Sequence, residues 1–160
     1  MARYLTKEGY TALRDELDRL WTKERPEVTA QVSAAAELGD RSENAEYIYG
    51  KKRLREIDSK LRMLKKKLEG VTIVDLDTQA PFKDVRFGAI VEATDDDGAD
   101  KIWRLVDQDE SDPARNRISV QSPIGRALLG KKVGDYVEIV LPKGRIGLEI
   151  TAVRYGPGEP

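Results

Sequence analysis

Two carboxylates, Asp40 and Glu43, stand three residues apart in the segment Gly39-Asp40-Arg41-Ser42-Glu43-Asn44-Ala45-Glu46-Tyr47. At a helix start that spacing suits a capping box, with Asp40 as N-cap and Glu43 reaching back from the third helical position. Both acids would also favour the positive end of the helix dipole. The same pair suits a second role, as oxygen ligands on an exposed tip. Hard cations such as Mg²⁺ are held by one or two carboxylates, with waters and phosphates completing the shell. Two carboxylates then form half a site, completed by another molecule. One acid can cap while the other points outward, so both readings stay open.

A second group is basic. Lys51-Lys52-Arg53-Leu54-Arg55 is followed by Lys60, Arg62, Lys65, Lys66 and Lys67, so residues 51–67 hold nine basic side chains against two acidic ones. A solvated coiled-coil exterior is one reading of such a run. The acids are too few for a face laced with salt bridges, which favours attraction to a polyanion, above all nucleic-acid phosphate. Apart from Tyr47 and Tyr49 near the tip, no aromatic interleaves the cations, so base-specific readout is not expected. Gly125-Arg126-Ala127-Leu128-Leu129-Gly130-Lys131-Lys132 comes close to a phosphate-binding loop. Its last position should be Ser or Thr and should open a helix, so a short helix at 126–129 stopped by Gly130 explains it better.

Much other chemistry is excluded. The 160 residues contain no Cys and no His, hence no thiolate nucleophile, no Ser–His pair and no imidazole or thiolate metal ligand. A disulfide-free chain suits a reducing compartment. No apolar run of about 18 residues exists to span a membrane. Residues 1–10 lack the apolar core of a signal peptide, so the cytoplasm is the expected location.

The elements that must position these groups divide near residue 70. Residues 1–70 hold 16 Lys and Arg against 13 Asp and Glu, a net of +3, and residues 71–160 hold 12 against 16, a net of −4. Tyr47, Gly50, Leu54, Ile57, Leu61, Leu64, Leu68 and Val71 alternate spacings of three and four, a heptad seam in which Gly50 is the weak position. Tyr10, Leu13, Leu17, Leu20 and Trp21 form a second stripe, resumed by Val28, Val32 and Ala35. Pro26 between them removes a backbone donor and should kink the helix. Two such helices on a short link fold back as an antiparallel hairpin, about 45 Å long at 30 residues. A two-helix layer leaves most of its surface solvated, which fits a chain that is 36% charged and 39% hydrophobic, and an elongated form would account for the small apolar share.

Beyond residue 70 the period shortens toward two. Strands are expected at 71–76, 87–94, 101–106, 117–121, 136–141 and 146–155, with Asp95-Asp96-Asp97-Gly98 as a hairpin turn. Residues 107–112 read as a loop and 156–160 as a frayed tail. The fold class is therefore α+β, a helical hairpin followed by a compact mixed sheet, with domains at 1–74 and 75–160.

The segment 39–47 closely resembles the tip motif of the bacterial Gre transcript-cleavage factors. Leu5-Thr6-Lys7-Glu8-Gly9-Tyr10 resembles that family's opening, and Glu24-Arg25-Pro26-Glu27-Val28 its mid-helix segment. The stretch from Ser122-Pro123-Ile124-Gly125 to Val133-Gly134-Asp135 resembles the signature of its C-terminal domain. Arg41 with Lys51-Lys52-Arg53-Leu54-Arg55-Glu56-Ile57-Asp58 is similar to the GreB rather than the GreA branch. The resemblance implies an antiparallel coiled coil before an FKBP-like domain. It implies a monomer that docks on bacterial RNA polymerase and enters its secondary channel, associated with the nucleoid through that partner. Asp40 and Glu43 would share a Mg²⁺ with the polymerase active site and position the attacking water, with Ser42 orienting the acids. Backtracked nascent RNA would be cut by the polymerase, so the chain is not itself an enzyme and has no cofactor of its own. Lys51, Lys52, Arg53, Arg55 and Arg41 would hold the extruded RNA 3′ segment, and Ser122, Pro123 and Ile124 would form a docking loop.

Three rivals remain. A Gre-like channel inhibitor shares the fold but should carry a different, more acidic tip. A prolyl isomerase needs an aromatic-lined pocket, whereas Phe82, Phe87, Trp103, Tyr136 and Tyr155 are spread among strands. A non-specific nucleic-acid-binding coiled coil has no need of the tip acids.

Overall fold

The computed structural model describes residues 3–39 and 43–160. Three of the expected tip residues, Asp40, Arg41 and Ser42, lie outside the described residues. The chain forms two compact units: Tyr10–Val71, and Met1–Gly9 together with Thr72–Pro160. The sequence division at 74/75 misses why the first residues leave the hairpin. Strand β1 (Tyr4–Thr6) pairs in parallel with β2 (Thr72–Val74), Leu5 opposite Ile73. Leu5 is fully buried, so this short strand carries a core residue.

Thr6 then starts helix α1 (Lys7–Arg19). Its hydroxyl accepts from the Gly9 N–H at 3.0 Å, the N-cap bond expected of a threonine. The Glu110 carboxylate holds Thr6 from the other side, accepting from its hydroxyl and, at 3.1 Å, from its N–H. A single π-helical turn, Leu20–Glu24, links α1 to α2 (Arg25–Ala36), and the Arg25 N–H donates to the carbonyl of Leu20 five residues back.

That turn has a sequence cause. Leu13, Leu17 and Leu20 form one apolar stripe and Val28, Val32 and Ala35 another, but Leu20 and Val28 are eight residues apart, one more than a heptad. One extra residue in the turn absorbs the offset, so both stripes face helix α3 (Ala45–Leu68). Backbone angles stay helical at Arg19, Glu24 and Arg25. Pro26, where a kink is expected, sits in the first turn of α2, and the π turn lies immediately before it.

Leu20, Val28, Ile57, Leu61 and Leu64 are the buried seam of the hairpin, flanked by Leu13, Leu17, Val32 and Leu54. Gly50 is not the weak position its residue type suggests. It is buried, and a Cβ there would run into the Val32 side chain. The helices approach closely because this residue has no side chain.

The second unit is a five-stranded sheet in the order β5-β4-β3-β7-β6. Its strands are β3 (Ile90–Asp95), β4 (Asp100–Val106), β5 (Arg117–Ser119), β6 (Tyr136–Leu141) and β7 (Gly144–Arg154). Pairings are antiparallel except β4 with β5, so the sheet is mixed as expected. The 95–98 turn closes β3–β4, with Asp95 Oδ1 accepting from the Asp97 and Ala99 N–H groups at 3.0 and 2.8 Å and Gly98 at φ +81°. Helix α4 (Pro123–Leu128) packs on the sheet, and its Leu128 is buried with Val91, Leu105, Ile139 and Leu148. The 107–112 stretch, expected as loop, contains a short 3-10 turn, Gln108–Glu110, with a second at Pro113–Arg115.

Acidic tip and candidate nucleic-acid interface

At the hairpin tip the helix cap is not the one the spacing suggests. Helix α3 begins at Ala45, and its N-cap is Asn44. The Asn44 Oδ1 accepts from the Tyr47 N–H at 3.1 Å, and its Nδ2 donates to the Ala35 carbonyl of α2 at 2.7 Å. One side chain therefore caps one helix and ties it to the end of the other. An Asp40–Glu43 capping box at the start of α3 is ruled out, because Glu43 precedes the cap. Glu43 is exposed, and among the described residues it makes no ion pair and no hydrogen bond. Its carboxylate is thus not used by the helix. A lone carboxylate suits a hard cation in donor chemistry but is one ligand of several. No group of three or more acidic residues is placed to hold a metal among the described residues.

The basic run of α3 divides into two flanks. Positions 51, 55, 58, 62 and 65 alternate spacings of four and three and share one side of the helix. Positions 53, 56 and 60 share the other. The second flank is neutralised: Arg53 pairs with Glu24 across the hairpin and with Glu56 at 3.3 Å, and Lys60 pairs with Glu16 at 2.9 Å. On the first flank, the Arg25 Nε donates to Asp58 at 2.9 Å, while Lys51, Arg55, Arg62 and Lys65 are exposed and form no ion pair among the described residues. Of the four cations assigned to RNA on α3, Lys51, Lys52 and Arg55 are exposed, and Arg53 is occupied.

An aromatic also lies beside this flank. Trp21, placed with the core stripe by spacing, is 55% exposed. Arg25 Cζ and Lys65 Nζ each lie 5.7 Å from its ring centroid, within cation–π range. The expectation of no aromatic among the cations held only along one helix. The signal available in sequence was the eight-residue gap between the stripes.

In the second unit, Ser122, Pro123 and Ile124 open a helix rather than forming a loop. Ser122 is the N-cap of α4, accepting from the Gly125 N–H at 3.0 Å and donating to the Ser119 carbonyl at 2.6 Å. Ile124 packs on the sheet core. Of the three, only Pro123 is exposed. A groove of about 1390 Å³ reaches Leu129 and is walled by Tyr4, Ile73, Phe82 and Phe87. Tyr4 stacks on Phe87 with centroids 5.6 Å apart, and Phe82 meets Tyr155 edge-on at 5.6 Å. Phe82 and Phe87, expected to be scattered, line one groove.

The tail at 156–160, expected to fray, is pinned. The fully buried Arg104 donates to the carbonyls of Gly156 and Gly158 at 2.7 and 3.0 Å. Glu159 accepts from Arg115 at 2.5 Å and from the buried Arg117 at 3.0 Å, and Glu8 pairs with Arg115 at 3.2 Å. These hydrogen bonds, led by the one from Arg115, hold the Glu159 carboxyl below its ordinary pKa.

Residues 3–73 match the family described as "Transcription elongation factor, N-terminal", and residues 71–155 match "Transcription elongation factor, GreA/GreB, C-term". The chain is 52% identical to transcription elongation factor GreB of Yersinia pestis, over 98% of this chain and 91% of that protein. It is 51% identical to GreB of Haemophilus influenzae, over 96% and 97%. Among solved structures, the GreA factor homolog 1 (Gfh1) of Thermus thermophilus aligns over 96% of this chain and 99% of its own, at 25% identity and a TM-score of 0.43.

Proposed function

The chain belongs to the GreA/GreB family of transcription elongation factors, and from that premise we propose that it acts on RNA polymerase through the enzyme's secondary channel, stimulating cleavage of backtracked nascent RNA. The observation that carries this reading is the tip, where Asn44 does the capping and the Glu43 carboxylate is exposed and unengaged among the described residues. A hairpin whose α3 alone runs 24 residues, about 36 Å, can carry such a group into a narrow channel.

In this reading Glu43 and Asp40 offer carboxylate oxygens to a Mg²⁺ shared with the polymerase. That ion supplies Lewis-acid stabilisation of the attacking or leaving oxygen. Glu43 itself would accept a hydrogen bond from the attacking water and orient it, with Ser42 steadying the acids. Lys51, Lys52 and Arg55 would attract the phosphates of the extruded RNA 3′ segment, with Arg41 closer to the tip. The C-terminal unit, FKBP-like by resemblance, would dock on the polymerase. Within Ser122-Pro123-Ile124 the exposed Pro123 is the direct contact, and Ser122 and Ile124 hold the helix that presents it. The chain would be monomeric and without catalysis of its own, since the RNA-cutting centre is the polymerase's.

The test is transcript cleavage in stalled, backtracked elongation complexes with and without the purified protein. Release of 3′ RNA fragments well above the polymerase's own rate supports the proposal. Binding with neither cleavage nor resumed elongation would instead establish a channel inhibitor. Binding to free RNA without any effect on the polymerase would leave only a nucleic-acid-binding coiled coil.

A further inference from the structure

We propose that Trp21 is a stacking platform for a base of single-stranded RNA lying along the first basic flank of the hairpin, an inference that rests on the reading of that face as an RNA track. A solvent-facing indole has no role in the seam, which is filled by Leu20, Ile57, Leu61 and Leu64. The π turn begins at Leu20, which stays in the seam, while the next residue, Trp21, faces solvent.

The surroundings select the partner. Lys51, Arg55, Arg62 and Lys65 line the α3 side of this flank, and its only α3 carboxylate, Asp58, is already held by Arg25. Excess positive charge on this side favours a polyanion, while the opposite flank is balanced by Glu16, Glu24 and Glu56. An exposed aromatic among cations is the combination that binds single strands, phosphate to cation and base to ring. Arg25 adds a planar guanidinium beside the indole, a second surface on which a base can stack. Lys65 can leave the ring for a phosphate as the base arrives. A protein partner bearing carboxylates would engage the cations but would gain nothing from the indole face. Trp21 lies 15 residues before the end of α2, roughly 20 Å along the helix from the tip region. It would therefore hold a base well behind the RNA 3′ end.

The test uses the full chain carrying Trp103→Phe, so that Trp21 is the only one of the two tryptophans remaining. Its fluorescence is titrated with a 12-nucleotide oligoadenylate and with a 12-unit abasic sugar-phosphate strand. Oligoadenylate should quench Trp21 and bind more tightly than the abasic strand. Trp21→Leu should weaken oligoadenylate binding, read by fluorescence anisotropy, by about 5-fold or more and remove its advantage over the abasic strand. Trp21→Phe should recover part of that loss. Lys51→Gln with Arg55→Gln should weaken both strands alike. Absence of quenching, equal affinity for the two strands, or an unchanged affinity in Trp21→Leu would overturn the assignment. Polymerase takes no part in this assay, so cleavage without stacking would sink the Trp21 assignment alone. Stacking without cleavage would support it while sinking the proposed function.

Discussion

At the scale of single residues, the cap and the tip acid are separate devices. Asn44→Ala removes the N-cap bond to Tyr47 and the tie to Ala35, and should cost about 1 kcal/mol or somewhat more in urea unfolding. Asp40, Ser42 and Asn44 are all good capping types within five positions, so local pattern could not choose among them. The partner helix supplies what local pattern lacks, because the Asn44 side chain that caps α3 also reaches the Ala35 carbonyl. Glu159 offers a pH test. Its folded carboxyl lies below the ordinary value, chiefly because Arg115 donates to it. Its contribution is complete above the ordinary carboxylate pKa and drains away as the pH falls through the lowered folded value. The NMR chemical shifts of Gly156 and Gly158 should therefore move toward random-coil values on acidification through that range, and Glu159→Gln should show those values already at neutral pH. An acid-insensitive tail in the native chain would contradict the strap. Nothing local announces this strap: Gly-Pro-Gly-Glu-Pro reads as a loose end, and the acceptors it supplies are demanded by Arg104, which is buried 52 to 54 residues away in sequence.

At the scale of elements, period decided what could be read. The heptad seam of α3 was legible because apolar spacing survives without knowledge of the partner. The main strands followed from alternation and the Asp95–Gly98 turn. Strand β1 was not legible, since three residues before a helix have no period and their parallel partner lies at Thr72–Val74. Gly50 follows the same logic: helix propensity marks it as a defect, and the facing Val32 makes it a requirement. Gly50→Val should accordingly lower the stability of the hairpin by about 1–3 kcal/mol despite the better helix former. Thermal unfolding followed by helical circular dichroism would check it, and an unchanged midpoint would mean that the helices do not meet there. In α4, Ile124→Asp should unfold the C-terminal unit, whereas Pro123→Asp should leave its melting unchanged and weaken polymerase binding. Equal effects of the two on folding would remove Pro123 as a separate contact.

At the scale of the whole molecule, the charge split between the halves was plain from composition, but its division into flanks was not. Pairing of Arg53 with Glu24 depends on helix register, and that register depends on the π turn. Removing Lys51 and Arg55 should lower the salt slope of RNA binding by about 0.7 for each phosphate no longer neutralised. Arg53→Gln should change it less, because that cation already has two carboxylate partners. Under the proposed function, the two-unit organisation implies that docking and cleavage stimulation can be damaged independently. The most direct measurement is RNA cleavage in a backtracked elongation complex, with binding quantified in parallel, for the native chain, Asp40→Asn and Glu43→Gln. The proposed function predicts that all three bind and only the native chain accelerates release of 3′ fragments. Equal cleavage by all three would contradict it.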